Sequence, residues 1–168
     1  MELARLEIKN IKISLILHEE LKDLPNQKII KHNNAVITFY PSNKRIINVT
    51  KLKTLNELYQ IQNEIQSLFN VKVKKLKIDA IMLSRRVMNK RFSLKKMLKT
   101  LEKYKDLFKC DYHPELFHSP WFKSRDGKHG SFNVFTTGSS TVMGVKCVED
   151  IKLIEKILDE TFSSQHEI

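Results

Sequence analysis

The feature that most constrains this chain is a change of hydrophobic period, from two to about 3.6, that occurs twice in the same order. "IKNIKISLIL" (8–17) alternates, with Ile11, Ile13, Leu15 and Leu17 on one face and Asn10, Lys12 and Ser14 on the other. The polar stretch "HEELKDLPNQ" has room for one or two helical turns before Pro25. Three strand-like runs follow, "KIIKH", "AVITFY" and "RIINVT", separated by the turn formers "NN" and "PSNK". From Thr54 the period becomes helical: Leu55, Leu58, Ile61, Ile65 and Leu68 form a stripe, and Thr54 with Glu57 makes a capping box.

The order then begins again. "VKKLKIDAIML" reads as a strand with Ile78, Ala80 and Met82 on one face. Ser93 caps a helix that presents Leu94, Met97, Leu98 and Leu101. "LFKCDYHP", "WFKSRD", "SFNVFTTG" and "TVMGVK" read as strands, with turns at "DGKHG" and "TGSS". A last helix, "VEDIKLIEKILDETF", buries Ile151, Ile154, Leu158 and Phe162. Residues 1–72 and 73–168 therefore read as two copies of one motif, the first shortened. The expected class is α+β, an antiparallel sheet with its helices on one side.

With helices on one side, the other strand faces are exposed together. Alternation assigns Asn10, Lys12, Phe39, Ile46 and Asn48 to that face in the first half. Asp79, Ile81, Asn133, Phe135, Thr141 and Met143 join it from the second. A surface mixing apolar groups, amides and hydroxyls is a binding surface rather than a solvated one. Phe135, like Phe117 earlier in the chain, is a large ring set among turn residues and hydroxyls.

Charge narrows the partner. Thirty Lys and Arg against 19 Asp and Glu leave a net charge of +11, which suits a polyanion such as nucleic acid or an acidic protein surface. A lysine-rich solubility coat explains the same charge equally well. No apolar run approaches the ~20 residues of a membrane helix, and the start of the chain lacks a secretory signal. An intracellular protein with no membrane partner is expected. Cys110 and Cys147 make no disulfide framework. With His113 and His118 they lack the paired close spacing of a zinc site, so packed cysteines and surface histidines are expected, with no metal. No nucleophile or phosphate loop accompanies the histidines, so neither catalysis nor a cofactor is assigned. The lysines at 72, 74, 75 and 77 read as a solvated linker, with phosphate contact the alternative, and "SRRVMNKR" (84–91) is a basic run between a strand and a helix.

"YHPELFHS" and "FTTGSSTVMGVK" carry a resemblance. They resemble the TATA-box-binding protein (TBP) family patterns Y-x-P-E-L-F-P-G and F-x-S-G-K-x-V-x-T-G-A-K. "IKNIKISLIL" looks like the family's opening strand, and "FYPSNKRIINVTK" like its F-S-S-G-K-x-V-x-T-G-A-K run with one inserted residue. The resemblance spans nearly the whole chain, specific over 112–146 and loose over 1–72. It implies a pseudo-twofold saddle, one curved antiparallel sheet with helices on the convex face and the DNA minor groove on the concave face.

The resemblance also implies roles. Phe117 and Phe135 match the pair of rings that wedges open a base step in the second repeat, and Phe39 the single ring kept in the first. Asn10, Lys12, Ile46, Asn48, Asp79, Ile81, Asn133, Thr141 and Met143 fall on groove positions. Lys44, Lys51, Lys123 and Lys146 fall on basic positions that meet phosphates. Glu115 and Leu116 lie in the loop that docks transcription factor IIB. Several positions depart from the family: Asp79 stands for a groove Asn, and Asn48 and Met143 for threonines. Lys12 and Asn133 replace apolar groove residues, His118 a proline, and Ser139 a lysine. A carboxylate cannot donate to the acceptors of an A·T pair. The expectation is a divergent, non-enzymatic TBP-like initiation factor, of a large DNA virus or a fast-evolving protist. It would act in the nucleus or at a viral replication site, binding double-stranded DNA as a monomer and recruiting a IIB-like factor and RNA polymerase. The alternatives are a substrate-binding accessory domain of this fold, or a protein-interaction scaffold that has lost sequence-specific DNA binding.

Overall fold

The structure is a computed structural model that describes residues 5–86, 90–116 and 118–168. The chain divides into two compact units, Ile8–Ile81 and Met82–Ile168 with the residues before Ile8. Strand β5 contributes to both.

In the first unit, alternation becomes strands wherever branched residues fill one side. These are β1 (Glu7–Leu17), β2 (Ile29–His32), β3 (Ala35–Tyr40), β4 (Asn43–Leu52) and the start of β5 (Val73–Arg85). Their order is β2-β3-β4-β1-β5. The β1/β4, β2/β3 and β3/β4 pairings are antiparallel. The β2–β3 hairpin turns through "NN" with Asn33 in the left-handed region, φ 53°, as a two-residue turn of this hand requires. Ile13, Val49 and Ile37 stand in one row, as do Leu15, Ile47 and Phe39, and all six are buried. Helix α1 (Leu55–Phe69) covers that face with Leu58, Ile61 and Ile65. Thr54 Oγ1 accepts the Glu57 N–H as predicted, while Glu57 reaches back past the cap to accept the Lys53 N–H in place of that of Thr54. The stripe is shorter than predicted: Leu55 and Leu68, at its two ends, are exposed.

The stretch between β1 and β2 holds no helix, contrary to the turns expected before Pro25. Only Leu21 in "HEELKDLPNQ" is buried, and one apolar anchor does not offset the cost of nucleating a turn of helix.

The second unit adds α2 (Leu94–Leu101), β6 (Phe108–Asp111), β7 (Trp121–Ser124), β8 (Ser131–Asn133), β9 (Ser140–Val145) and α3 (Val148–Thr161). Its strand order is β5-β9-β8-β7-β6, and the β6/β7, β7/β8 and β8/β9 pairings are antiparallel. Phe122, Phe132 and Val142 share a buried row, with Phe122 stacked on Phe132. Ser93 caps α2 as predicted. Met97 and Leu101 of α2 are buried, as are Ile154, Ile157 and Leu158 of α3. The α3 N-terminus is pinned by Asp150, whose carboxylate accepts from Cys147 Sγ at 3.0 Å and lies 2.6 Å from His129 Nδ1. Burial opposes its ionisation, but those two hydrogen bonds win and hold the Asp150 carboxyl below the usual carboxylate range.

The inward face of β5 differs from the alternation first assigned. Ile78, Asp79 and Ala80 are all half-buried, and only beyond them does the inward face become Ile81, Leu83 and Arg85, with Met82 exposed. Either alternation offers apolar residues to the core, and the branched Ile81 and Leu83 fill it in place of Met82.

Candidate nucleic-acid interface

The face of the first-unit sheet opposite α1 is built by the residues between the core rows. Thr38, Asn48 and Ser14 lie side by side across β3, β4 and β1, and Ile46 pairs with Ile16. Ser14 Oγ lies 2.5 Å from Asp79 Oδ2 and 2.9 Å from the side-chain amide of Asn48, whose far end lies 2.8 Å from the Tyr40 hydroxyl. Four residues from four strands thus form one polar chain across the open face. Lys12 is exposed beside it.

Two groove positions are used differently from expectation. Phe39 is buried, its ring edge-on to Phe69 at 5.0 Å, so it faces α1 and not the open side. The reason is register: Phe39 pairs with Ile47 in a core row, and the exposed aromatic at the end of β3 is its neighbour Tyr40. Asn10 is half-buried, and its Oδ1 accepts the Lys51 N–H at 2.8 Å. That bond stabilises a bulge at which Ile11 pairs with Leu52 and Ile13 with Val49, with Lys51 held at φ 64°. Lys44 and Lys51 are exposed.

In the second unit, Lys123, Ser131 and Met143 share a row, and Trp121 pairs with Asn133 beside them. Met143 is exposed and Thr141 half-buried. Two expectations are corrected here. Ile81, the last residue of the first unit, is fully buried in the core. Asn133 is 5% exposed, and its Oδ1 accepts the Thr141 N–H while its backbone carbonyl accepts from Ser140 Oγ. It braces the β8–β9 connection instead of presenting an amide to a ligand.

Phe135 lies beyond the end of β8, not within it. It opens a tight turn in which Gly138 N–H donates to its carbonyl at 2.9 Å and its own N–H donates to Ser139 at 3.0 Å. Its ring is half-buried. Strand pairing stops at Asn133 because that side chain occupies the backbone N–H of Thr141. Phe117, the other proposed wedge, lies outside the described residues, as do Val87, Met88 and Asn89 of the basic run.

Lys146 is exposed just after β9. Lys123 is exposed but shared with Asp111 at 3.3 Å, and that hydrogen bond holds the Asp111 carboxyl below its usual range. Glu115 and Leu116 cap a turn closed by the Leu116 N–H on the His113 carbonyl at 2.9 Å, with Leu116 74% exposed. An apolar side chain that far into solvent is consistent with a docking contact.

Sequence reasoning left Ser14 and Tyr40 out of the site. The signal for Ser14 was its place beside Lys12 on the polar face of β1. Tyr40 gave none, since its neighbour Phe39 was the more apolar ring.

No family model matches the sequence, and no curated protein matches it. Among solved structures, the aspartate kinase regulatory subunit of Thermus thermophilus is similar over 95% of this chain and 97% of that one, at 11% identity and TM-score 0.31. Clostridium acetobutylicum aspartate kinase is similar over 96% of this chain and 36% of that one, at 13% identity and TM-score 0.28. Overlaps that loose carry no argument. Methanococcus jannaschii TBP is similar over 92% of this chain and 96% of that one, with 20% identity and a TM-score of 0.66. The fold of this chain is the TBP fold.

Proposed function

We propose that this chain is a TBP-like transcription initiation factor that lays the open face of its sheet in the minor groove of promoter DNA, bends the duplex, and recruits a IIB-like factor and RNA polymerase. The observation that carries the reading is a TBP fold whose first-unit sheet keeps a face clear of its helix, in a chain of net charge +11. Lys44, Lys51 and Lys146 are the phosphate contacts, joined by Lys123 once Asp111 releases it. Lys12, Ile46, Asn48, Asp79, Thr141 and Met143 meet the groove. Phe135 acts with Phe117 as a wedge, the cost of unstacking a step being offset by the surface that bent DNA presents. Glu115 and Leu116 meet the IIB-like factor. The protein works as a monomer on DNA, in the nucleus or at a viral replication site.

Binding to end-labelled duplexes across a salt series, with energy transfer between the ends, tests the reading. Affinity should fall steeply with salt, and bending should accompany binding. Phe135→Ala should lower affinity and bend angle together. Absence of binding at low salt would leave a protein-interaction scaffold as the better reading, one that the acid at Asp79 favours.

A further inference from the structure

The Tyr40–Asn48–Ser14–Asp79 chain ends on an acid, and the Asn48 amide orientation that suits an ionised Asp79 sets its direction. Ser14 carries one hydroxyl proton, yet its Oγ is within hydrogen-bond reach of both the Asn48 amide and Asp79 Oδ2. With the Asn48 NH2 turned toward Ser14, the Ser14 hydroxyl is free to give its one proton to Asp79. Ser14 then donates to Asp79 Oδ2, and in this amide orientation Asn48 donates to Ser14 and accepts from the Tyr40 hydroxyl. The chain ends on the carboxylate, which it holds by one oxygen. Among the described residues the other oxygen, Oδ1, has no partner. The half-exposed Asp79 thus offers a fixed, charged acceptor in a part of the face otherwise lined by Lys12, Thr38, Ile46 and Asn48.

Minor-groove edges differ in one respect that such a group reads. A·T and T·A pairs show only acceptors there, whereas guanine adds its 2-amino donor. A carboxylate repels the first edge and accepts from the second. Resting on the DNA-binding reading above, we infer that Asp79, oriented by Ser14, makes this chain select duplexes with a guanine 2-amino group in the groove under the first unit. The specificity is the opposite of a TATA preference.

Base analogues isolate that one amine. Inosine·cytosine lacks the 2-amino group of guanine·cytosine, and 2,6-diaminopurine·thymine adds it to adenine·thymine. Fluorescence anisotropy on four duplexes that differ only at these pairs should show G·C and diaminopurine·T bound about tenfold more tightly than I·C and A·T. Asp79→Asn should compress that ratio to about twofold or less, because an amide can donate to either edge. Ser14→Ala should compress it partly, by freeing the carboxylate to turn away. The wild-type comparison of G·C with I·C needs no variant, so misfolding of either mutant leaves the test intact. Equal binding of all four duplexes, or tighter binding of A·T and I·C, overturns the inference while DNA binding stands. Failure to bind any duplex overturns both.

Discussion

Replacing Phe39 by alanine should unfold the first unit before it alters any DNA contact. The ring is 2% exposed, pairs across the sheet with the fully buried Ile47, and meets Phe69 of α1 edge-on at 5.0 Å. Truncating a buried Phe costs about 3–5 kcal/mol, as lost transfer energy plus the cavity left behind. Of that, roughly 0.5–1.5 kcal/mol belongs to the edge-on ring pair. For a chain this long a loss of ~4 kcal/mol lowers Tm by roughly 8–16 °C. Thermal and urea unfolding followed by far-UV circular dichroism reads the loss. The single tryptophan, Trp121, lies in the second unit, so its fluorescence should change less than the dichroism. A double-mutant cycle with Phe69→Ala should return a coupling of about 0.5–1.5 kcal/mol. A loss below about 1 kcal/mol, accompanied by weaker DNA binding, would place the ring on the open face and refute the register argued here.

Lys44→Ala, Lys51→Ala and Lys146→Ala should each flatten the log–log salt slope of DNA binding by about one unit. Lys123→Ala should flatten it less, because Asp111 already neutralises part of that charge. Glu115→Arg should abolish assembly with a IIB-like partner in a gel-shift assay while leaving DNA affinity equal or slightly higher, since the side chain stands on a solvent-exposed turn. Acid should weaken the second unit through Asp150. Its carboxyl is held below the ordinary range, so the stabilisation is present above the unfolded value of about 3.9 and is lost as pH falls through the folded one. Asp150→Asn should therefore lose less stability than the wild type between about pH 5 and pH 2, measured as the urea midpoint.

Period and turn chemistry placed the three α-helices and most strands, but also gave a helical turn in "HEELKDLPNQ" that does not form and ran β8 past Asn133. The switch from alternation to a helical stripe located α1 and its Thr54 cap, Ser93 located the start of α2, and "NN" located the β2–β3 hairpin. The same patterns, with "PELF" and the spacing of "FTTGSSTVMGVK", pointed to the TBP fold. Alternation, however, defines two faces without saying which is inward. Val36, Thr38 and Tyr40 compete with Ala35, Ile37 and Phe39 for the core, as Met82 competes with Ile81. Pairing across the sheet decided the first contest, through rows such as Leu15 and Phe39 with Ile47. Side-chain commitments were hidden for the same reason. Asn10 is spent on a bulge at Lys51, Asn133 on the Thr141 N–H, and Ser14 on Asp79, partners separated by 41, 8 and 65 residues. A local pattern reports what each residue is able to do, and the register of the sheet determines which partner it meets.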